Sequence, residues 1–299
     1  MPFPVYPYIG WERHCTDVPV VFPPQHQNRH PGYEYVMNPR PISDNPAYIG
    51  SGKLKDKVAI VTGGDSGIGR AVAIAFAKEG ADLVIPYLDE HQDAAETKLM
   101  IEKLGRRCVV IAADLRLEEA CSSVVALTIK HFGRLNILVN NHGVQFHQPS
   151  IMDITQEQLM NTFQTNIISF FSMVKAALPH LQAGSTIVNT SSDTAYSGMA
   201  NMIDYTATKG AIVSFTRSLS LSLAASGIRV NAVAPGPIWT PLIPSAFTAE
   251  ETRTFGTEVP MRRPGQPFEL APAYVWLASD DSSYVSGQII FVNGGSIVT

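Results

Sequence analysis

The sequence has little positive charge, few cysteines and no long apolar run, and each shortage excludes a class of function. Its 299 residues include 22 Lys and Arg against 26 Asp and Glu, for a net charge of −4. A surface that binds nucleic acid needs clustered Lys and Arg to neutralise phosphates, so we expect no nucleic-acid partner. No run of about 18 apolar residues, the length that spans a bilayer, occurs. We therefore expect no membrane partner either.

The cysteine pattern excludes two further kinds of site. Cys15, Cys108 and Cys121 are far apart and form no CxxC or Cys/His ligand set, so neither a disulfide framework nor a zinc site is predicted. We expect no metal. The first residues, MPFPVYPYIGWERHC, lack the basic segment and the apolar segment of a secretory signal, which predicts a cytoplasmic protein.

Two regions differ in composition. Residues 1–52 are rich in proline and aromatics and have no helical or alternating periodicity, which predicts an extended arm. The arm has more aromatics than a solvated linker would, so we expect part of it to pack on the body. Residues 53–299 are expected to form one domain.

From residue 57 onward, short apolar runs alternate with longer amphipathic segments, as in a parallel sheet flanked by helices. The pattern predicts an α/β fold with a doubly wound, Rossmann-type parallel sheet, whose ligands bind at the carboxyl ends of the strands. Strands are predicted at 58–62, 82–86, 108–112, 137–140, 186–190, 229–234 and 288–292. Helices are predicted at 67–79, 92–104, 117–132, 156–181, 204–226 and 267–278.

A glycine-rich segment, TGGDSGIG at residues 62–69, joins the first of these strands to the first helix. In this position Gly63 permits a tight turn, Gly67 lets the backbone approach a pyrophosphate, and Gly69 lets helix and strand pack closely. The helix N-terminus adds amide donors for the phosphates. The spacing is GxxxGxG rather than GxGxxG, and an ordinary turn is the alternative. The position after a buried strand favours dinucleotide binding, so we expect residues 53–299 to be a dinucleotide-binding catalytic domain.

Tyr205 and Lys209 are four residues apart at the start of a predicted helix, so they share one face and reach the same site. Alone the pair is a weak signal, since a surface Tyr beside a solvated Lys fits it equally well. Ser191 and Ser192 close a predicted strand 13 residues before Tyr205. They bring a hydroxyl to the same edge of the sheet and favour a catalytic group.

In order and spacing, these motifs resemble the short-chain dehydrogenase/reductase family. The resemblance covers about residues 53–295 and rests on TGGDSGIG at 62, Asp114 after a strand, NNHG at 140, Asn166, Ser192, YTATK at 205 and PGPIWT at 235. Within the family, PGPIWTPLIPS, VPMRRPGQPFELAPAYVWLAS and the arm segment PPQHQNRHPG resemble the glucose and ribitol dehydrogenase-like oxidoreductases.

The resemblance implies four catalytic residues. Tyr205 is the general acid in reduction and the base in oxidation, and Ser192 holds the substrate oxygen. Asn166 positions a proton-relay water, and Lys209 binds the nicotinamide ribose and depresses the pKa of Tyr205. A phenol of pKa near 10 is a poor base at pH 7 unless a neighbouring ammonium and the oxidised nicotinamide favour the phenolate.

The resemblance also implies a set of cofactor-binding positions. These are Gly63, Ser66, Gly67, Ile68, Gly69, Tyr87, Asp89, Asp114, Leu115, Asn140, Asn141, Tyr205, Lys209, Pro235, Gly236, Ile238 and Thr240. For Asp114 the alternative is an N-cap of the helix that follows. His142 stands where the family usually has alanine, and a packed, hydrogen-bonded ring is the interpretation we favour over catalysis. His147 either lines the substrate cleft or is solvated.

The turn after the second strand, IPYLDEH, faces the adenosine ribose in this fold and bears on the choice of cofactor. Tyr87 replaces the usual acidic residue at the strand end, but Asp89 and Glu90 follow. No Lys or Arg lies between residues 85 and 91 to pair with a 2′-phosphate, unless Arg70 or a distant basic residue folds over it. The sequence therefore favours NAD over NADP, with Asp89 as the better determinant.

Three classes of function remain open on this fold. The intact set of catalytic residues favours an NAD(P)-dependent oxidoreductase acting on a carbonyl or alcohol. A non-redox lyase or cyclase and a cofactor-sensing binding protein are the alternatives. The substrate stays open between a small sugar or polyol and a hydrophobic ketone or aldehyde, since the expected lid, residues 239–261, is apolar near the chemistry. The resemblance implies dimers or tetramers, and we expect a homotetramer.

Overall fold

The computed structural model describes residues 9–13 and 17–297, with side chains from residue 21 onward. Cys15 lies outside the described residues. Strands β1 (Ile9–Arg13) and β2 (Asp17–Val21) pair antiparallel as a hairpin that the sequence pattern did not predict. The remaining strands form one seven-stranded sheet in the order β5-β4-β3-β6-β7-β8-β9, in which every neighbouring pair is parallel.

The strands of this sheet match the predicted runs within one residue at either end. They are β3 (Val58–Val61), β4 (Asp82–Tyr87), β5 (Cys108–Ala112), β6 (Ile137–Asn140), β7 (Thr186–Thr190), β8 (Arg229–Pro235) and β9 (Ile289–Val292). Residues of β3, β6 and β7 are buried throughout, because helices cover both faces of the sheet. The chain reverses its direction of progress between β3 and β6, which places the switch point there.

Helices flank the sheet on both sides, as a doubly wound fold requires. They are α1 (Gly67–Lys78), α2 (His91–Lys103), α3 (Glu118–Phe132), α4 (Gln156–Phe163), α5 (Ser169–Ala177), α6 (Thr194–Ser197), α7 (Ile203–Leu223), α8 (Leu242–Ala246), α9 (Ala249–Arg253) and α10 (Pro267–Ala278). The apolar core on one face is built with α1, α2 and α10, and the core on the other with α3, α5 and α7. The predicted fold class is confirmed.

The long helix predicted at 156–181 is interrupted. A π-helical turn, Gln164–Ile168, separates α4 from α5, and a 3₁₀ turn, Leu178–His180, ends the segment. Such π-turns widen the backbone locally and are common at functional sites. Asn166 lies within this one.

The arm packs on the body along much of its described length. The Phe22 ring stacks on Trp239 with centroids 3.8 Å apart, and the Trp239 indole N–H donates to the carbonyl of Pro39 at 3.0 Å. Farther along, the Ile42 amide donates to Gln266 Oε1 at 2.9 Å. The expectation that part of the arm packs on the body is confirmed.

No helix among the described residues has both the length and the apolar character needed to cross a bilayer.

Candidate active site

A cavity of about 880 Å³ opens at the carboxyl edge of the sheet, across the switch point. Its volume is in the range of small-molecule sites. The predicted site residues that line it are Gly63, Ser66, Gly67, Ile68, Tyr87, Asp114, Leu115, Asn141, Ser192, Tyr205, Lys209, Pro235, Gly236, Ile238 and Thr240. Four predicted residues lie outside the lining: Gly69, Asp89, Asn140 and Asn166.

The glycine-rich loop has the geometry of a nucleotide cradle. Gly63 and Gly67 have φ values of 62° and 51°, in the left-handed region that disfavours residues with a Cβ. A Cβ at Gly69 would lie 2.0 Å from the carbonyl oxygen of Gly63, so this glycine packs helix α1 against the loop, as predicted. Loop and helix N-terminus face the cavity, and these residues fit the pyrophosphate of a dinucleotide.

The three central catalytic candidates converge at the end of β7. The Lys209 ammonium lies 5.3 Å from the centre of the Tyr205 ring and donates to the Thr190 carbonyl at 3.0 Å. The Ser192 hydroxyl is close enough to the Tyr205 hydroxyl to lower the Tyr205 pKa. Ser192 also accepts from the backbone and hydroxyl of Thr194, at 3.2 and 3.0 Å. One hydroxyl pair and one cation thus face the same space.

Burial shifts the pKa values of both titratable groups at this centre. It raises the pKa of Tyr205 to about 12, the nearby Asp193 carboxylate acts in the same direction, and the Ser192 hydroxyl opposes them. Burial also lowers the pKa of Lys209 to about 7. In the free protein burial thus disfavours both charges, and the expectation that Lys209, with the oxidised nicotinamide, depresses the Tyr205 pKa stays a prediction.

Asn166 does not line the cavity but holds the loop that contains Gly143 and Val144. Its Oδ1 accepts from the Val144 amide at 2.8 Å, and its Nδ2 donates to the Val144 carbonyl at 2.8 Å and to Thr208 Oγ1 at 3.1 Å. This clamp places Gly143 beside both Asn166 and Lys209. Asn166 thus shapes the site, and its role in a water relay stays a prediction.

Two other predicted cofactor positions have protein partners. Asn140 is fully buried, with its Nδ2 donating to Asn189 Oδ1 at 3.0 Å. Asp114 lines the cavity, and its carboxylate accepts from Arg116, whose hydrogen bonds hold the Asp114 pKa below its usual value. The alternative that Asp114 caps the next helix is wrong, because α3 begins at Glu118 with Leu117 in the N-cap position.

His142 is half-buried in the cavity wall, between two hydroxyls. Its Nδ1 lies 2.8 Å from Thr62 Oγ1 and its Nε2 lies 2.8 Å from Ser169 Oγ. Burial, with Lys209 nearby, lowers its pKa to about 3, so the ring is neutral at ordinary pH. The favoured interpretation of a packed, hydrogen-bonded histidine is confirmed. His147 does not line the cavity, since it pairs with Asn201 and lies 3.4 Å from Glu251.

The adenosine end of the cavity is acidic, but not through the carboxylate that the sequence singled out. Asp89 binds Arg29 of the arm at 2.5 Å and lies outside the lining. Glu90 lines the cavity, and its Oε1 is buried with no hydrogen-bond partner among the described residues; Arg29 is 3.7 Å away. Burial, and then the Asp65 carboxylate, raise the pKa of Glu90 to about 7, and burial raises that of Asp65 to about 6.

The lid lines the substrate end only in part. Leu242, Ile243 and Phe247 face the cavity, whereas Trp239 is fully buried beneath the arm. The arm lines the cavity too, through His30–Gly32, and His30 Nδ1 lies 2.8 Å from Ser245 Oγ of the lid. Sequence reasoning missed this contribution, since nothing in the arm's composition signals which of its residues reach the site.

The described residues contain no cluster of three His, Cys, Asp or Glu side chains suited to a metal ion.

Comparisons with known proteins agree with this geometry. The family model described as enoyl-(acyl carrier protein) reductase matches residues 63–296. An uncharacterized oxidoreductase of Bacillus subtilis, YhxC, is 61% identical, covering 92% of this chain and 96% of its own length. The glucose and ribitol dehydrogenase of Daucus carota is 52% identical (93% and 97% covered), and the chloroplastic NADPH-dependent aldehyde reductase 1 of Arabidopsis thaliana is 48% identical (92% and 98%).

Solved structures of dehydrogenases and reductases are also similar to this chain. A short chain dehydrogenase from Burkholderia cenocepacia, in complex with NADP, superposes with a TM-score of 0.76 at 32% identity, covering 82% of this chain and 99% of the other. A 3-ketoacyl-(acyl-carrier-protein) reductase from Brucella melitensis, complexed with NADH, gives 0.75 at 30% identity, covering 82% and 100%.

Proposed function

This chain belongs to the short-chain dehydrogenase/reductase family and is an NAD(P)-dependent oxidoreductase, and from that premise we propose that Tyr205 exchanges the proton with its substrate. In this proposal Ser192 holds the substrate oxygen and Lys209 binds the nicotinamide ribose. The observation that carries it is the convergence of these three side chains in one cavity with the glycine-rich loop. A lyase, a cyclase or a sensor has no support in the comparisons.

In the reducing direction, the O–H bond of Tyr205 breaks and its proton bonds to the substrate oxygen, while the carbonyl carbon gains a hydride. Bound NAD(P) supplies or accepts that hydride. The raised pKa keeps Tyr205 protonated at neutral pH, which is the form needed for reduction. Oxidation requires the phenolate, so we expect its rate to rise with pH more steeply than that of reduction.

The test compares Tyr205→Phe with the parent protein on a panel of carbonyls and alcohols, followed by cofactor absorbance. The change keeps the ring but removes the proton, so we expect kcat to fall by about a hundred-fold or more while cofactor still binds. Tyr196→Phe is the matched control. Tyr196, in α6, packs against Phe291 of β9 and has no role in this scheme. Normal turnover by Tyr205→Phe would contradict the assignment.

For the substrate, we propose an aldehyde or ketone that carries a second oxygen beside an apolar body. Met202, Phe247 and Phe255 supply apolar lining. Gln145 also lines the cavity, and its Nε2 is buried without a hydrogen-bond partner among the described residues. Because an unsatisfied buried donor is costly, a substrate oxygen at this position is favoured. Gln145→Leu should raise KM for hydroxylated aldehydes while leaving alkyl aldehydes little changed.

For the cofactor, we propose that NAD is preferred and that Glu90, rather than Asp89, is the determinant. The Oε1 of Glu90, which has no hydrogen-bond partner among the described residues, suits a ribose hydroxyl at the adenosine end. The carboxylates of Glu90 and Asp65, which both line the cavity there, oppose a 2′-phosphate. Arg29 lies 3.7 Å from Glu90, and Asp89 already neutralises it.

The assembly proposed is a homotetramer. Phe171 on α5 and Leu221 on α7 are exposed in the single chain, Leu221 by 83%. A Cβ at Gly210 of α7 would meet no atom within 4 Å, so this stretch of the helix is open to close approach. Light scattering that shows a stable monomer at micromolar concentration would contradict this. The cytoplasmic location stays a prediction, and cell fractionation would test it.

A further inference from the structure

The N-terminal arm places a carboxylate directly against the nucleotide-binding loop. Glu34 is 1% exposed, and its Oε2 accepts from the backbone N–H of Gly67 at 2.6 Å. Its Oε1 accepts from Arg70 at 2.5 Å. We propose that Glu34 is a positioning residue that fixes this loop for cofactor binding; the proposal rests on the proposed function.

Helix α1 explains the need for such a group. The helix begins at Gly67, and Ser66 in the N-cap position makes no side-chain capping bond. The first turn also contains no acidic residue. The first amides of a helix have no partner within the helix, so another group must accept from them. Glu34 provides for Gly67, from 33 residues away in the chain, the acceptor that a local N-cap usually provides.

A buried network fixes the carboxylate in turn. Arg70 Nε donates to the Asp65 carbonyl and to Thr97 Oγ1, both at 2.8 Å, which ties the loop to α2. The backbone N–H groups of Glu34 and Tyr35 donate to the two oxygens of Asp93, at 2.7 and 3.0 Å. Arm, loop and both helices are thereby held in one arrangement.

Glu34 lies behind the loop, not in the cavity. Gly67 lines the cavity and Glu34 does not, so the carboxylate leaves the space for the pyrophosphate free. Its two effects on a bound dinucleotide have opposite signs. Its negative charge, offset by Arg70, opposes the phosphates, whereas its hydrogen bond orients the loop that binds them. If positioning dominates, removing the charge of Glu34 weakens cofactor binding. If repulsion dominates, removing it strengthens cofactor binding.

The test is Glu34→Gln, which is nearly isosteric but has one acceptor oxygen for two donors. We expect the Kd values of NAD and NADP, from fluorescence titration, to rise about ten-fold, with kcat at saturating cofactor within about two-fold. Hydrogen exchange over residues 62–70 should be faster in the free variant. Asp44→Asn is the matched control, because Asp44 binds Lys78 at 2.5 Å and joins the arm to the other end of α1.

Each outcome bears on the proposal. Unchanged or tighter cofactor binding by folded Glu34→Gln would overturn it, as would an equal loss in Asp44→Asn. If Glu34→Gln does not fold, Glu34→Asp keeps the charge but shortens its reach, and parent-like exchange and Kd in that variant would overturn it. If the parent protein binds neither cofactor, the proposed function fails, while hydrogen exchange still tests the contact with Gly67.

Discussion

Replacing Glu90 by glutamine should shift the cofactor preference toward NADP, and the shift should depend on pH. Glu90 is 3% exposed, lines the adenosine end and has a pKa raised to about 7 by burial and by Asp65. Above that pKa, a carboxylate faces the 2′-phosphate of NADP, which carries nearly two negative charges. Below it, the neutral acid repels much less.

The magnitude follows from Coulomb's law. At a separation of about 7 Å and an effective dielectric constant of about 40, for a cleft open to water, a carboxylate and a phosphate with nearly two charges interact by about 2 kcal/mol. That corresponds to about a thirty-fold change in affinity. We therefore expect Glu90→Gln to lower the NAD-to-NADP ratio of kcat/KM about thirty-fold at about pH 8.5 and to have little effect at about pH 6.

The assay measures that ratio across the pH range for the parent and the variant. The 2′-phosphate of NADP itself titrates near pH 6. Because Glu90→Gln has no carboxylate at this position, the pH dependence of its ratio reports the contribution of the phosphate alone. Glu102→Gln, at the exposed far end of α2, makes the same change in net charge and should leave the ratio unchanged. A parent preference for NADP at about pH 8.5, or a ratio that Glu90→Gln leaves unchanged, would refute the reasoning.

The remaining predictions concern binding and stability. Lys209→Ala should weaken cofactor binding as well as slow turnover, and a change in stability alone, measured by urea unfolding, would make Lys209 structural. Phe22→Ala removes the ring stacked on Trp239, so we expect the free energy of unfolding to fall by about 3 kcal/mol in urea titrations. Parent stability should decrease as pH drops below about 6.5, because unfolded His142 takes up a proton that the folded ring, with its pKa lowered to about 3, does not. His142→Ala should make the free energy of unfolding depend less on pH below about 6.5. The same pH dependence in the variant and the parent would contradict this role of His142.

The sheet and the centre of the site were predictable because their signals are local. Each buried strand forms a continuous apolar run, and the site residues come directly after several of these strands. Gly63, Ser192 and Tyr205 come from separate segments, yet parallel pairing brings them to one edge and into one cavity. Their convergence is therefore a consequence of strand order, which alternating segments already indicate.

The arm was not predictable in the same way. Glu34, Arg29 and His30 lie in a stretch without periodicity, and their partners are distant in sequence, such as Ser245 for His30. Nothing local signals that Arg29 neutralises Asp89, which is why the sequence favoured the wrong one of two adjacent carboxylates for the cavity lining. The π-turn at Asn166 was missed for another reason: a helix with one extra residue in a turn keeps its apolar character.

The arm's position also constrains the order in which the molecule is completed during synthesis. His26 binds the carbonyl of Phe247, 221 residues later, and Ile42 binds Gln266, 224 residues later. At about 5–20 residues per second, the ribosome makes those partners roughly 10–45 s after the arm emerges. The parts of the arm that bind Phe247 and Gln266 are thus among the last to find their place, and Phe22 cannot stack on Trp239 until most of the chain has been made.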